Sequence, residues 1–183
     1  MNDTPLWIFG YGSLMWEPGF AHDEKVIARL QGFARTFCMR SIHHRGTPDN
    51  PGLVLALDRS EMATCDGLAL RVSDGREAET LEYLRERELI SSAYLEKNLV
   101  VELADQRRVM AVTFVVDEDH VQYCGCVPLE EQASIIAAAT GGRGPNAEYL
   151  FNTAGHLRHL GIQDGDLEWL AERVRMIKES ENE

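Results

Sequence analysis

The sequence lacks the long apolar segments and the positive charge that mark several classes of protein. No run of about 18 apolar residues occurs, so no membrane-spanning helix is expected. The opening residues MNDTPLWIFG have neither the basic region nor the apolar region of a secretory signal peptide. The formal net charge is −12, and nucleic acid and anionic membrane surfaces would repel such a chain. We therefore expect a cytoplasmic protein that binds neither nucleic acid nor membranes, and we predict no obligate protein partner.

Cysteine is also scarce, with four residues in the chain, and its spacing does not indicate a metal site. Cys38 and Cys65 lie in apolar, strand-like segments, where cysteine is typical of a small core residue. Cys124 and Cys126 enclose one glycine, but the second pair of ligands that a structural metal site needs is missing. The histidines supply no evident third ligand for a metal either. We therefore predict no metal site.

The chain shows no internal repeat, no low-complexity segment and no linker rich in proline, glycine or serine. Its 183 residues suit one domain, and an apolar content of 44% is enough for a globular core. We predict a single domain over residues 1–183, with a charged tail that frays from about residue 179.

Strand-like segments fill most of the first two-thirds of the sequence, and helical segments fill the last third. One predicted helix, from about residue 75 to residue 89, interrupts the strands, and the last two strands form a predicted hairpin. This order indicates an α+β fold, or a small barrel with helices packed around it, rather than a doubly wound sheet. The predicted strands are 6–12, 26–40, 52–57, 65–72, 94–103 and 107–117, and the late helices are 128–140, 146–160 and 165–180.

The segment WIFGYGSLMWEPGF starts as a buried strand and then breaks into Gly-Tyr-Gly-Ser. A phosphate-binding loop is excluded because the segment lacks the lysine of a P-loop and the third glycine of a dinucleotide-binding turn. A plain turn that uses glycine for its backbone freedom remains open. The other possibility is an anion cradle, in which successive backbone N–H groups and the Ser13 hydroxyl bind an oxygen that is negative or becomes so.

Four blocks of the sequence together form a specific pattern: FGYGSLMWEPGF at 9–20, HHRGTPDNPGLVLAL at 43–57, YLRERELISSAY at 83–94 and GRGPNAEYLFNTAGHL at 142–157. In sequence and in order, these blocks resemble the ChaC-type γ-glutamylcyclotransferases. The resemblance implies an α+β fold with a small mixed β-barrel and surrounding helices. It also implies cleavage of glutathione to 5-oxoproline and cysteinylglycine without a cofactor. One departure concerns the segment after the Arg-Glu pair, where many relatives have Gly-Gly-Tyr and this chain has LISSAY.

The resemblance also assigns site residues by position. The catalytic residue is Glu88, and the loop after the first strand receives the γ-glutamyl group. Further candidate substrate contacts are Ser41, Arg45 and Tyr149. Arg45 suits a substrate carboxylate or a structural acidic partner equally well, and Tyr149 also suits a core position. The residues of the loop block that we assign to substrate binding are Phe9, Gly10, Tyr11, Gly12, Ser13 and Leu14.

Helical periodicity gives Glu88 independent support. At about 100° per residue, Leu81, Leu84 and Glu88 share one helix face, so Glu88 is an acid at the end of an apolar stripe. Burial and the nearby helix C-terminus would both raise its pKa. Arg85 lies at the edge of this face, and pairing with it would lower that pKa. The alternative that Glu88 is an ordinary solvated acid of an acid-rich helix stays open on the sequence alone.

The implied reaction needs only one acid–base group. The substrate's α-amine attacks its own γ-carbonyl, while Glu88 accepts a proton from the amine and then delivers it to the leaving nitrogen. The alternative substrates are γ-glutamyl amino acids and γ-glutamylamines. An alternative of another class is a catalytically silent binding or regulatory protein on the same scaffold.

Overall fold

The computed structural model describes residues 4–89 and 92–183. These residues form two compact units, one within Met1–Arg35 and Leu57–His120 and the other within Thr36–Ala56 and Val121–Glu183. None of the helices in the described ranges combines the length and the apolar character needed to cross a bilayer. The elements are β1 (Trp7–Gly10), a 3-10 turn (Ser13–Met15), β2 (His22–Ser41), β3 (Gly52–Val72), α1 (Glu77–Glu88), β4 (Tyr94–Leu103), β5 (Arg108–Val116), α2 (Leu129–Ala138), β6 (Thr140–Gly141), β7 (Gly144–Pro145), α3 (Asn146–His159) and α4 (Gly165–Glu181).

Five strands form a closed barrel in the order β1-β3-β2-β4-β5. Strand β1 pairs antiparallel with β3 and parallel with β5, so it joins the two ends of the sheet. Strands β4 and β5 pair antiparallel from Tyr94↔Val116 to Glu102↔Arg108, which confirms the predicted hairpin. The α+β class and the mixed barrel predicted from the sequence are therefore confirmed.

Strand β1 is apolar throughout because both of its faces are covered. Trp7 and Phe9 point into the barrel and pack in its interior core. Ile8 points the other way and packs in a second cluster that includes Leu84 of α1. Burying each such side chain stabilises the fold by about 1.5–3 kcal/mol. The two clusters fix the end of β1, and with it the start of the following loop, between the barrel interior and α1.

Strand β3 is one continuous strand of 21 residues, whereas the sequence predicts two separate strands at 52–57 and 65–72. The intervening residues 58–64 are mostly exposed, so they have no apolar pattern to mark them as strand. Their backbone nevertheless stays extended between the two buried ends. The prediction was wrong here because side-chain pattern reports burial, and this part of the strand is not buried.

Gly32 changes the direction of side chains along β2. Ala28 and Leu30 pack in the barrel core before it, and Phe33 packs against the same core after it. Gly32 has φ +85°, a conformation that glycine adopts readily and that shifts the alternation by one residue, as in a β-bulge. The shift lets Arg35 turn inward as well, and this residue is buried.

Helices α2, α3 and α4 pack against one another in the second unit. Apolar side chains of the three helices are buried, including Ile136, Leu150, Leu157 and Val174. Gly141 lies in the two-stranded hairpin of β6 and β7, beyond the end of α2. Helix α4 continues to Glu181 and so includes the first residues of the tail expected to fray. The single-domain organisation over 1–183 stays a prediction.

Gly67 lies where β3 and the end of β1 approach each other most closely. A Cβ on Gly67 would overlap the carbonyl oxygen of Gly10 and lie 2.9 Å from Cζ of Phe9. Because a backbone carbonyl cannot swing away as a side chain does, we expect Gly67→Ala to lower the free energy of unfolding by about 2 kcal/mol. Urea unfolding followed by circular dichroism measures this change.

Gly155→Ala is the matched control for that experiment. No described residue lies within 4 Å of the Cβ it would add, and Gly155 is within helix α3. Alanine is the better helix former, so this variant should gain roughly 1 kcal/mol. A Gly67→Ala protein as stable as the wild type would contradict the close approach described for Gly67.

Candidate active site

The loop after β1 makes a tight turn that leaves several backbone N–H groups outside its own hydrogen bonds. Met15 N donates to Gly12 O at 2.9 Å, and Glu17 N donates to Ser13 O at 2.8 Å. The donors of these two bonds, Met15 N and Glu17 N, lie at the end of the 3-10 turn or beyond it. The N–H groups of Gly12, Ser13 and Leu14 belong to its first turn, whose N–H groups have no partner within a helix. The hydrogen bonds of the turn leave these N–H groups to other acceptors, and the anion cradle stays a prediction beside the plain turn.

Two buried side chains hold this loop from the barrel side. Arg35 Nε donates to Tyr11 O at 2.8 Å, and Arg35 Nη2 donates to Asp66 O. Thr113 Oγ1 donates to Phe9 O at 3.0 Å. Sequence reasoning missed both residues. The signal that was present is the glycine inside the β2 pattern, which suggests a bulge and hence a reoriented side chain near it.

Arg87 of α1 holds the same loop from the other side. Its Nη2 donates to Ser13 Oγ at 3.0 Å, and its Nη1 donates to Glu17 O at 2.7 Å and to Pro18 O at 3.4 Å. The Nη1 group also contacts the Tyr83 hydroxyl at 3.1 Å, one helical turn earlier. A single guanidinium thus joins the last turn of α1 to the loop. The sequence marks Arg87 only as the residue before the candidate acid.

Glu88 lies at the end of α1 and is largely shielded from solvent, with 20% of its side chain exposed. Its Oε1 is 3.4 Å from Arg87 Nε. Burial raises the pKa of Glu88, and the neighbouring Arg87 charge opposes that rise without cancelling it. Leu84, on the same helix face, is fully buried, as the wheel predicts. The prediction of a shielded acid with a raised pKa is confirmed.

Arg85 does not pair with Glu88, which corrects one of the possibilities raised by the helical wheel. Its guanidinium forms two hydrogen bonds with Glu96 of β4, at 2.7 and 3.0 Å. This pairing holds the pKa of the Glu96 carboxyl below its usual range. The long side chain of Arg85 reaches β4, so it pairs with the Glu96 carboxylate instead of with Glu88.

The loop residues assigned to substrate binding do not all have accessible side chains. The side chain of Phe9 is fully buried in the barrel core, which leaves its backbone as the available group, and its assignment to substrate binding stays a prediction. Leu14 packs in the cluster beneath α1, which leaves its backbone as the available group. At Gly12, an added Cβ would meet no described residue within 4 Å, so packing against the protein does not require glycine there. Substrate contacts by Gly10, Tyr11, Gly12, Ser13 and Leu14 stay predictions.

Ser41 and Arg45 belong to the second unit, where they form a local cluster. Arg45 N donates to Ser41 Oγ at 3.0 Å, and Arg45 Nη1 donates to the carbonyls of Arg143 and Pro145 at 3.1 and 3.2 Å. The Arg45 guanidinium also lies over the Tyr149 ring, 5.6 Å from its centroid. No ion pair in the described part of the chain involves Arg45. Its structural partners are thus carbonyl groups, where the sequence suggests an acidic side chain.

Tyr149 is anchored in the same cluster from α3. Its hydroxyl accepts a hydrogen bond from Leu55 N at 3.3 Å, and its ring meets Phe37 edge to face. These contacts give Tyr149 a structural role in the second unit. The substrate contacts assigned to Ser41, Arg45 and Tyr149 stay predictions.

The described residues contain no group of three or more histidine, cysteine, aspartate or glutamate side chains suitably placed to hold a metal ion. In the segment LISSAY, which departs from the family pattern, residues 90 and 91 lie outside the described residues.

The chain is similar in sequence and in fold to known proteins. The chain is 38% identical over 176 residues to the glutathione-specific gamma-glutamylcyclotransferase of Escherichia coli K12, covering 96% of this chain and 75% of that protein. It is 34% identical to gamma-glutamylcyclotransferase 2-3 of Arabidopsis thaliana, covering 96% and 92%. A crystal structure of a yeast gamma-glutamylcyclotransferase specific to glutathione shares the fold, with a TM-score of 0.83, 24% identity and coverage of 96% and 100%. Residues 6–177 match the family of ChaC-like proteins, and the chain therefore belongs to that family.

Proposed function

We propose that this protein is a γ-glutamylcyclotransferase that cleaves glutathione to 5-oxoproline and cysteinylglycine. The observation that carries the proposal is the shielded carboxyl of Glu88, held beside a loop rich in backbone donors by Arg87. Similarity to the glutathione-specific gamma-glutamylcyclotransferase of Escherichia coli supports the same reaction, and similarity to gamma-glutamylcyclotransferase 2-3 of Arabidopsis thaliana supports the same class of enzyme. A cytoplasmic location stays a prediction of the sequence.

The reaction is an intramolecular aminolysis. The α-amine nitrogen of the γ-glutamyl residue forms a bond to its own γ-carbonyl carbon, and the bond from that carbon to the cysteinyl nitrogen breaks. One proton leaves the attacking amine and one arrives at the leaving nitrogen, so no water enters the balance. Because both reacting groups are in one molecule, holding the folded-back conformer supplies much of the rate.

Glu88 is suited to move that proton. As a carboxylate it accepts the proton of the attacking amine, and as a carboxylic acid it delivers the proton to the leaving nitrogen. A group that must work in both directions is most effective when its pKa lies near the working pH. Burial shifts the pKa of Glu88 upward, in the direction this role needs.

The loop supplies the second part of the chemistry. The carbonyl oxygen becomes negative as the lactam ring closes, and backbone N–H groups of Gly12 to Leu14 are our candidates for stabilising it. Arg87 fixes Ser13 by a hydrogen bond at 3.0 Å and contacts Glu88 at 3.4 Å. These two contacts support a defined position of the acid relative to the donors.

The pH dependence of the reaction tests the role of Glu88. The base must be ionised, so kcat/KM for glutathione should fall as the pH falls through the raised pKa of Glu88. We expect the midpoint of this acidic limb above the ordinary glutamate value of 4.5. Initial rates of 5-oxoproline formation between about pH 4 and pH 8 measure it. A limb centred below that ordinary value would contradict the assigned role.

A direct product assay tests the proposed function as a whole. Purified protein is incubated with glutathione, and 5-oxoproline and cysteinylglycine are measured by mass spectrometry. Equal amounts of the two products are expected. Turnover of γ-glutamyl amino acids or γ-glutamylamines without turnover of glutathione would instead establish the alternative cyclotransferase. Absence of product from every γ-glutamyl compound would favour a catalytically silent binding protein.

A further inference from the structure

A cavity of about 500 Å³ opens at one end of the barrel. It differs from the packed end of the barrel, where Trp7 and Leu103 are buried among other apolar side chains. The cavity combines an apolar wall with charged groups, a combination common in sites for small polar ligands. Its lining residues are Gly32, Phe33, Arg59, Glu61, Lys97 and Leu99.

Strand register places Lys97 on the inner face of the barrel wall, where its side chain is exposed to solvent. Lys97 lies directly opposite Thr113 in the β4–β5 pair, and directly opposed residues project from the same face of a sheet. Ala111 and Val115, two residues before and after Thr113, both pack in the barrel core. Thr113 therefore points inward as well, and Lys97 shares its face at the open end.

The same register links the cavity to the loop of the candidate active site through Thr113. Thr113, the partner of Lys97, donates to Phe9 O, one residue before the loop begins. Tyr11 of the loop packs against the barrel core, as do the cavity residues Phe33 and Leu99. The loop residue Tyr11 and the cavity residues Phe33 and Leu99 thus contact one apolar core, which places the loop near the cavity.

The distances across the β4–β5 pair suit a bound tripeptide. Directly opposed residues such as Lys97 and Thr113 have Cα atoms about 5 Å apart, and Thr113 Oγ1 lies 3.0 Å from Phe9 O. A tripeptide in an extended form spans about 10 Å. Its length is therefore comparable to the separation between Lys97 and the backbone at the start of the loop.

The charges of the cavity indicate which chemical group that end carries. In residues 4–89 and 92–183, no ion pair and no side-chain hydrogen bond involves Arg59 or Lys97. Two cations and the single carboxylate of Glu61 leave the cavity with an excess of positive charge, although the chain as a whole carries −12. An anionic ligand group complements this excess.

We propose that Lys97, together with Arg59, binds the C-terminal carboxylate of the leaving dipeptide, and that Phe33 and Leu99 contact its cysteinyl part. This inference rests on the proposed function. It makes Lys97 a specificity-determining residue that favours γ-glutamyl peptides over γ-glutamylamines, whose leaving groups have no carboxylate. A γ-glutamylamine bound here would leave Lys97 and Arg59 without an opposing carboxylate, so the protein should favour glutathione because the amine lacks this contact.

Substitution of Lys97 by alanine tests the proposal. We expect KM for glutathione to rise about tenfold, since a charge-assisted hydrogen bond is lost, while kcat stays within about twofold. The second substrate is glutathione with its C-terminal carboxylate converted to an amide. The wild type should bind this amide about tenfold more weakly than glutathione, and Lys97→Ala should weaken its binding no further. The matched control is Lys25→Ala, an exposed lysine of β2 outside the cavity, which should leave both substrates unaffected.

Two results would overturn the inference. One is a change in KM that is the same for glutathione and its amide, and the other is a Lys97→Ala protein that behaves like Lys25→Ala. Calorimetric titration of both compounds into each protein gives the same comparison without turnover. If the wild type forms no 5-oxoproline but its binding of glutathione depends on Lys97 and on the carboxylate, the proposed function fails and the carboxylate site stands. If product forms but the amide is used equally well, the carboxylate site fails and the function stands.

Discussion

Replacing Glu88 with glutamine is expected to lower kcat for 5-oxoproline formation by about 1,000-fold. Glutamine keeps the size of the side chain and can contact the same neighbours, but it cannot accept a proton from the attacking amine. Arg87, which contacts Glu88 at 3.4 Å, keeps its hydrogen bonds to the loop in this variant. The loss should therefore appear in kcat, with KM for glutathione changed much less. Steady-state kinetics with quantified products measures both constants.

The stability of the same variant provides a separate readout. Burial raises the pKa of Glu88, so the folded state holds its proton more tightly than the unfolded state does. Between the two pKa values the folded state binds more protons, and stability falls as the pH rises through that window. Glu88→Gln removes this cost, so it should be more stable than the wild type at neutral pH, and the difference should shrink in acid.

Glu86→Gln is the matched control, because Glu86 is an exposed acid two residues earlier in α1. It should retain nearly full activity, and its stability relative to the wild type should not follow the pH dependence of Glu88→Gln. An active Glu88→Gln protein would remove Glu88 from the mechanism. A Glu88→Gln protein less stable than the wild type at neutral pH would contradict the burial argument.

The sequence predicts those features that depend on one element at a time. Helical periodicity places Glu88 on the face of Leu84, and the structure confirms both the face and the direction of the pKa shift. The β4–β5 hairpin and the late helices are found for the same reason, since their apolar patterns are complete within each segment. An element that buries one face against a neighbour has apolar residues at a regular spacing, and this spacing is visible in the sequence even when the neighbour is unknown.

Contacts between elements distant in the chain are not predicted. Arg35 reaches the loop 24 residues earlier, and Arg87 reaches Ser13 across 74 residues, and nothing local in the sequence marks either pair. Arg85 shows the opposite problem, because its helix position allows a contact with Glu88, but its long side chain reaches Glu96. A long flexible cation has several carboxylates within reach, so spacing on one helix does not select its partner.

Replacement of Arg87 is expected to cause the second large loss of activity, because Arg87 positions the loop and Glu88. Replacing it with methionine removes the hydrogen bonds to Ser13, Glu17 and Pro18 and the charge beside Glu88. Displacement of catalytic groups by about 1 Å costs about 100-fold in rate, so we expect kcat/KM to fall by about that factor. Because the Arg87 charge lowers the pKa of Glu88, its removal should also move the acidic limb of the pH profile upward. The measurement is kcat/KM for glutathione across the pH range.

Lysine at position 87 separates the two contributions of the arginine. Arg87→Lys keeps a positive charge beside Glu88, so the acidic limb should stay near its wild-type position. It cannot reproduce the planar fork that reaches the loop at several points, so most of the loss in rate should remain. The matched control is Arg85→Met, which breaks the surface pair with Glu96 and should change kcat/KM little. Full activity in Arg87→Met, or equal losses in Arg87→Met and Arg85→Met, would refute a positioning role specific to Arg87.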